Sequence, residues 1–309
     1  MFRFFVGGEW RDLVVDDRLP TYNGKLLFLK SADPTEFWPA LIEKAFAKLN
    51  GSYHVLNGGT FGEASSYFGA MTENFNIRGP QLGGLDPVFV KGRLEEAGRR
   101  GSLCGAAIYD LGKYNHDSYS RWGLPSGHAY SITGFSEDKV RVRNPWGGNT
   151  EWVEQTSEAD GEFWIEWADF MVHFHQVQIA HYSSDAAAGL DQDPGRKWTS
   201  LEVRGSWDRS CAGGCPNFAS YYMNPQYEIT VGAQDGASAL LLVSLDQLAH
   251  HRQEMAREQH AKGFIIHRSS TPGHRLSRRE LLAVPWVADS GVYRYGTPVI
   301  YKLYLTLYN

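Results

Sequence analysis

A predicted β-hairpin constrains the fold of this chain more than any other segment. Residues 128–135 alternate between apolar and polar types, residues 136–139 have turn composition, and residues 140–144 alternate again. Alternation with a period of two is typical of strands with one buried face. The hairpin would bring His128, at the start of the first strand, close to Asn144, at the end of the second.

This His/Asn pair has a well-defined chemical use. An imidazole that acts as a general base needs its second ring nitrogen held by a polar partner, and a neutral Asn amide does this in Cys-His-Asn sites. The alternative is a structural pair, a core histidine beside a turn asparagine. Gly127 would let a substrate backbone approach His128 closely, whereas Trp146 has an ordinary interpretation as a core or turn aromatic.

Two blocks around the pair carry a resemblance to a known family. Gly-His-Ala-Tyr-Ser-Ile-Thr-Gly at 127–134 and Arg-Val-Arg-Asn-Pro-Trp-Gly at 141–147 resemble the His and Asn blocks of the calpain family, which are calcium-dependent cysteine endopeptidases. Further blocks along nearly the whole chain resemble the same family; they lie at 8–21, 36–53, 160–164, 205–207, 212–215 and 224–227.

The resemblance implies an α+β fold. It identifies the first part of the chain as the β-rich half of a papain-like cysteine protease core, followed by an antiparallel β-sandwich of the C2-like type. It further implies that His128 is the general base and that Asn144 orients it. Trp146 and Gly127 would then flank the catalytic cleft.

The nucleophile is missing from this inventory. The family carries its cysteine in a Gln-x-x-x-Gly-Asp-Cys-Trp block, and no such block occurs in these 309 residues. Cys104 lies in an apolar strand-like run, where cysteines are usually inert. Cys211 and Cys215 lack a second ligand pair for zinc, and their spacing leaves a local disulfide open. We therefore expect that this chain carries no nucleophile. The resemblance places the nucleophilic cysteine in the other half of the protease core, the Cys-bearing half, which we expect to lie outside this sequence.

A group of acidic residues follows Asn144. Glu151, Glu158, Asp160 and Glu162 fall within twelve positions, and carboxylates are the ligands that Ca²⁺ prefers. Four acids in a loop are also compatible with simple solvent exposure. The resemblance matches Glu151, Asp160 and Glu162 to calcium-binding positions of the calpain core. It therefore implies Ca²⁺ as the cofactor, with Glu158 as a further ligand in a loop shorter than the family's.

The chain is long enough for two domains, and 42% apolar residues is ordinary for globular proteins. We predict a protease-core half at 1–182, with helices starting near Asp33, Thr60 and Asp86, and a small acidic linker at 183–195. Strand-like runs then predict a β-sandwich at 196–309; they lie at 199–203, 227–231, 239–245, 264–267 and 299–305. The sequence ends on strand-like residues, which is compatible with a complete or an incomplete sandwich.

Charge and hydropathy exclude some function classes. The net charge of −5 speaks against general nucleic-acid binding, and no apolar run is long enough to span a bilayer. Three cysteines and no signal peptide predict a cytoplasmic protein. The expected partners are protein or peptide substrates and the Cys-bearing half, with peripheral membrane contact through the C2-like domain as a further option.

Three functions therefore compete. The first is a part of a calcium-dependent cysteine endopeptidase that is inactive as an isolated chain. The second is a non-catalytic calpain-like protein that binds or regulates partners. The third, a serine hydrolase, has little support because no G-x-S-x-G motif is present.

Overall fold

The structure is a computed structural model that divides into two compact units, with the boundary between Trp198 and Thr199. None of the helices it describes is long and apolar enough to cross a membrane. The residues that it describes are 1–6, 9–77, 85–109, 123–147, 161–182, 201, 203–230, 238–245, 263–269, 271–284, 286–289 and 299–306.

The first unit combines ten strands with four α-helices in its described residues. The strands are β1 (Phe2–Val6), β2 (Glu9–Leu13), β3 (Thr21–Tyr22), β4 (Lys25–Leu26), β5 (Ala70–Asn76), β6 (Leu103–Ile108), β7 (His128–Phe135), β8 (Lys139–Arg143), β9 (Glu162–Glu166) and β10 (Gln176–Tyr182). The helices are α1 (Trp38–Asn50), α2 (Phe61–Ser66), α3 (Pro87–Arg99) and α4 (Trp167–His173), with a 3₁₀ helix at Tyr53–Leu56.

An antiparallel sheet of six strands dominates this unit. Its strand order is β5-β10-β6-β7-β8-β9, so the predicted hairpin of β7 and β8 lies within the sheet. Cys104 pairs with Ile132 across β6 and β7, and Ile132 pairs with Val142 across β7 and β8. The predicted hairpin is thus confirmed. A six-stranded antiparallel sheet accompanied by few helices is compatible with part of a papain-like protease.

Alternation along the strands places the main core on one face of the sheet. Val140 and Val142 have no exposed surface, while Arg143 points to solvent. Helix α3 contributes Leu94, which is also fully buried. Many side chains of this core are aromatic or β-branched; they include Phe163, Ile165, Phe170, Phe174 and Ile179. On the strands, a half-buried sheet favours such residues.

Two of the three predicted helix starts are confirmed. The Thr60 side chain accepts a hydrogen bond from the Glu63 amide at 3.1 Å and caps α2. Asp86 accepts from the Val88 amide at 3.1 Å, ahead of Pro87 in the first turn of α3. Both are ordinary N-caps that satisfy amides left without partners at a helix start.

The third predicted start, at Asp33, is wrong. Asp33 instead forms a local turn, in which its carboxylate accepts from the amide and the hydroxyl of Thr35. Helix α1 begins at Trp38, with Pro39 in its first turn. A helix starting after Asp33 would hold Pro39 in its interior, where proline lacks an amide hydrogen and clashes with the preceding turn. The helix therefore starts later than predicted, and it ends at Asn50.

A second core cluster packs α1 against the β1–β2 hairpin. Phe4, Val6, Ala45 and Tyr67 are buried there, and Phe46 packs partly buried against them. The Phe5 amide also donates to the Tyr67 carbonyl at 2.7 Å, which ties β1 to the end of α2.

A buried polar network joins α3 to three strands of the sheet. Glu73 on β5 contacts both Arg93 on α3 and His181 on β10. His181 in turn contacts the Ser102 hydroxyl, which directly precedes β6, at 2.8 Å. Glu73, Ser102 and His181 are each at most 8% exposed. Such groups are tolerated inside a protein only when they are paired and hydrogen-bonded.

The second unit is described in separate pieces. Strand β11 (Ser238–Leu245) pairs antiparallel with β14 (Val299–Thr306), and β12 (Ile265–His267) pairs with β13 (Trp286–Asp289). Helix α5 (Arg278–Ala283) opens with a capping box between Ser277 and Glu280, and a 3₁₀ helix spans Tyr221–Met223. The predicted strands near 239–245, 264–267 and 299–305 are confirmed as strands.

Two further predicted strands, at 199–203 and 227–231, are wrong where the structure describes them, because their described residues lie outside strands. A strand needs a neighbouring backbone for its hydrogen bonds. The described residues of these two segments pair with no strand that the structure describes. Just before the second segment, the Gln226 side chain bonds to the backbone of a distant residue. The Gln226 amide nitrogen donates to the Leu276 carbonyl, and the Leu276 amide donates to the Gln226 oxygen, both at 2.9 Å. Strand composition alone does not supply the missing partner.

Removing the Glu73 carboxylate should destabilise the first unit strongly. The change Glu73→Ala leaves Arg93 and His181 buried without their shared partner, which should lower the free energy of unfolding by about 3–5 kcal/mol. Urea denaturation followed by tryptophan fluorescence measures this. The matched control is Glu95→Ala, which breaks a 3.7 Å surface pair with Lys91 and should cost no more than about 0.5 kcal/mol. Equal effects of the two changes would contradict the structural role of the network.

Candidate active site

The hairpin brings His128 and Asn144 into direct contact. His128 is the first residue of β7, where it pairs with Ile108 of β6. Asn144 directly follows β8, whose last residue, Arg143, pairs with Ser131. The His128 Nε2 atom lies 2.8 Å from the Asn144 Oδ1 atom. The sequence-predicted pair therefore forms one hydrogen-bonded unit.

The surroundings of Asn144 fix the proton position on His128. The Trp146 amide donates to Asn144 Oδ1 at 3.1 Å, which identifies this atom as the oxygen of the side-chain amide. An oxygen can only accept, so His128 Nε2 must donate and carries the ring proton. The lone pair of the neutral imidazole is then on Nδ1. That nitrogen can take a proton from another group.

Burial makes this imidazole a neutral base. Asn144 has no exposed surface, and His128 is half-buried. Burial lowers the pKa of His128, and the hydrogen bond to Asn144 opposes that effect only in part. Since the unfolded chain then binds protons more readily, His128 favours folding at neutral pH. This contribution is lost as the pH falls below about 6.5, the pKa of a histidine in the unfolded chain, and through the lower pKa of His128 in the folded protein.

Two glycines shape the backbone around the pair. The Asn144 amide donates to the Gly161 carbonyl at 2.9 Å, and a Cβ atom on Gly161 would lie only 2.7 Å from the Asn144 carbonyl oxygen. No larger residue fits there without displacing the backbone. Gly127, beside His128, has a φ of +63°, a conformation that favours glycine.

Trp146 covers one side of the histidine. Its ring centroid lies 4.1 Å from that of His128, at an interplanar angle of 42°. The indole is 67% exposed, so it forms an outer wall over the pair rather than a part of the core. Trp146 is therefore not a core aromatic; it lies in the turn that follows β8, so its interpretation as a turn aromatic stays open.

None of the three cysteines forms a disulfide. Cys104 is buried on β6, and burial together with the nearby Glu73 carboxylate raises the pKa of its thiol to about 12. A thiol with that pKa supplies almost no thiolate at neutral pH. Cys211 and Cys215 belong to the second unit, where the Cys211 sulfur contacts the Asp208 amide and the Ser206 carbonyl.

The predicted calcium ligands are only partly described. Glu151, Glu158 and Asp160 lie outside the described residues. Glu162 begins β9, where one of its carboxylate oxygens lies 3.7 Å from the Arg141 Nε atom. Carboxylates have the donor chemistry that Ca²⁺ prefers, so Glu162 fits the expected ligand set. Among the described residues, no three His, Cys, Asp or Glu side chains lie close enough together to hold a metal ion.

Sequence reasoning missed one contact of the pair. Tyr130 lies two residues after His128 on the same face of β7, and the two ring centroids are 4.9 Å apart. The period of two along a strand carries this signal, because it places every second side chain on one face. By contrast, the Glu73 network gives no local signal, since its members come from distant parts of the chain.

Comparison with known families accounts for most of the chain. Residues 1–181 match the model of the calpain family cysteine proteases, and residues 203–306 match that of domain III of the calpain large subunit. The first match contains His128 and Asn144, and the second covers all described strands of the second unit.

Individual relatives agree with the family models. The chain is 40% identical to calpain-9 of Rattus norvegicus over 265 residues, which cover 76% of this chain and 37% of that protein. It is 35% identical to the calpain-2 catalytic subunit of Homo sapiens and 34% identical to that of Gallus gallus, in both cases over 304 residues, 86% of this chain and 42% of the relative. The chain thus spans about two fifths of the length of these relatives. It belongs to the calpain family.

Proposed function

We propose that this chain supplies the base-bearing part of a calpain-like, calcium-dependent cysteine endopeptidase site. A cysteine from outside this sequence loses its thiol proton to His128 Nδ1 and attacks the carbonyl carbon of a peptide bond. His128 then gives that proton to the leaving amine, which produces a thioester. Water hydrolyses the thioester with His128 again accepting a proton, and the thiol is regenerated. Asn144 holds the imidazole throughout.

One observation carries this proposal: the 2.8 Å contact between His128 Nε2 and Asn144 Oδ1. It assigns the proton to one ring nitrogen and leaves the lone pair on the other. A purely structural histidine needs no such assignment, whereas a general base does. The lowered pKa keeps the imidazole neutral near pH 7, as proton abstraction requires.

The state of His128 can be measured in this chain without any substrate. By ¹⁵N NMR, the wild type should show the Nε2–H tautomer and a His128 pKa below about 6.5. The change Asn144→Asp should raise that pKa above about 6.5, because a carboxylate stabilises the imidazolium. Asn76→Asp adds the same charge on the edge strand β5 and should leave His128 unchanged. A proton on Nδ1 in the wild type would contradict the assigned role.

We further propose that the nucleophile lies in a segment outside this sequence. In support, Cys104 is buried with a pKa raised to about 12, and Cys211 and Cys215 lie in the match to domain III. The sequence also contains no Gly-Asp-Cys-Trp block. A non-catalytic calpain-like protein that binds or regulates partners is the second candidate, which the same cysteine placement favours. Reading the coding sequence upstream of Met1 separates the two candidates, because a Gly-Asp-Cys-Trp block there would favour the endopeptidase.

This chain alone should not cleave casein, with or without calcium. The reason is chemical, since a base without a thiolate cannot form the thioester. Release of acid-soluble peptides measures cleavage, and the wild type should equal His128→Ala in this assay. Calcium-dependent cleavage that His128→Ala abolishes would refute the proposal that the nucleophile lies elsewhere.

We also propose that Glu151, Glu158, Asp160 and Glu162 hold Ca²⁺. The support is the resemblance of this segment to the calpain core and the carboxylate chemistry of its residues. Bound Ca²⁺ would supply positive charge that draws these carboxylates together.

Calorimetry tests the calcium ligands directly. The wild type should bind Ca²⁺, and Asp160→Ala should weaken binding at least about tenfold, because a carboxylate ligand is lost. The control Asp138→Ala removes an acid from the turn between β7 and β8 and should leave binding unchanged. Unaltered binding in Asp160→Ala would exclude the assigned site.

The domain arrangement extends this proposal. Residues 1–182 would be the base-bearing part of the protease core, 183–195 a linker, and 196–309 a C2-like β-sandwich of a cytoplasmic protein. The match to domain III at 203–306 supports the last assignment. The partners would be protein or peptide substrates and the Cys-bearing half, and the C2-like domain could add peripheral membrane contact.

A further inference from the structure

A continuous column of aromatic rings runs from α4 to the His/Asn pair. Its six rings, in order, are Trp167, Phe170, Phe174, Tyr130, His128 and Trp146. Successive ring centroids are separated by 5.2, 4.4, 5.2, 4.9 and 4.1 Å. Phe170 and Phe174 have no exposed surface. The histidine therefore lies at the point where the buried column meets solvent.

Tyr130 contacts the imidazole on its buried side. It is 2% exposed and lies nearly perpendicular to His128, at 81°. Phe174 packs against it, also nearly perpendicular, at 76°. Aromatic rings at these distances and angles attract one another beyond the effect of burial. Tyr130 is thus fixed by the core on one side and contacts His128 on the other.

The Tyr130 hydroxyl has no hydrogen-bond partner among the described residues. Burial also raises the pKa of this phenol well above its usual range, so it is not a titrating group near neutral pH. A buried hydroxyl without a partner costs stability rather than adding to it. The contact with His128 therefore rests on the ring and not on the hydroxyl.

We infer that Tyr130 is a positioning residue for the imidazole of His128, and that its ring, held by Phe174, prevents the imidazole from rotating away from Asn144. The inference rests on the proposed role of His128 as the base. Asn144 restrains the imidazole through one hydrogen bond, which fixes a single ring atom. Trp146 contacts the imidazole from the solvent side and is itself 67% exposed, whereas Tyr130 is held in the core. A rigid ring on the buried side removes the remaining rotation.

Replacing the ring should change the state of His128. In Tyr130→Leu, the imidazole gains rotational freedom and water gains access to it. By ¹⁵N NMR, the Nδ1–H tautomer should then become populated, and the His128 pKa should rise toward about 6.5. Tyr130→Met fills a similar space without a rigid ring and should act in the same direction. Tyr130→Phe keeps the ring and should leave both values at those of the wild type.

The matched control is Tyr67→Leu. Tyr67 is a buried tyrosine of the second core cluster, where its hydroxyl donates to Asn50 at 3.2 Å. Its loss should lower the unfolding midpoint at least as much as Tyr130→Leu but leave the His128 tautomer and pKa unchanged. A merely structural role of Tyr130 predicts the same result for both tyrosines.

Two results would overturn the inference. One is a folded Tyr130→Leu or Tyr130→Met protein whose His128 tautomer and pKa equal those of the wild type. The other is a shift in Tyr130→Phe as large as in the ring-less variants, which would transfer the role to the hydroxyl. If the wild type itself carries its proton on Nδ1, the proposed role of His128 as the base fails, and that outcome is distinct from both.

Discussion

The antiparallel pairing of β7 with β8 is the constraint on which the site depends. The register that pairs Ile132 with Val142 directs both side chains into the core, and it carries Asn144 into a position with no exposed surface. A buried amide must find hydrogen-bond partners, since leaving it unpaired costs about 1–3 kcal/mol. His128 and the Trp146 backbone amide are partners of its oxygen. The geometry of the His128/Asn144 pair therefore follows from the burial of Asn144.

How far the sequence predicts this structure depends on how local each feature is. The hairpin, α2 and α3 are encoded by alternation and by caps within a few residues, and all three were predictable. The predicted start of α1 is wrong. Asp33 and Pro34 have the residue types of a helix start, but a helix from there would hold Pro39 in its interior. In each of these cases, neighbouring residues decide the outcome.

Features that join distant parts of the chain were not predictable. The Glu73 network needs residues from β5, α3 and β10, and no short window contains more than one of them. Similarly, the Gln226 side chain bonds to the backbone of Leu276, fifty residues later. The candidate site stands between these extremes. Its two hydrogen-bonded residues lie on one hairpin and were found, but their support by Phe174 comes from another element.

Burial assigns opposite chemical roles to two residues of neighbouring strands. Cys104 on β6 and His128 on β7 belong to the same sheet, yet burial raises the thiol pKa to about 12 and lowers the imidazole pKa. Both shifts favour the neutral form, since burial penalises charge. A neutral thiol is a poor nucleophile, because the reactive form is the thiolate. A neutral imidazole, by contrast, has the lone pair needed to accept a proton. Burial on this sheet thus suits a neutral imidazole and makes the Cys104 thiol unsuited to nucleophilic attack. This difference supports our proposal that the nucleophile comes from outside this sequence.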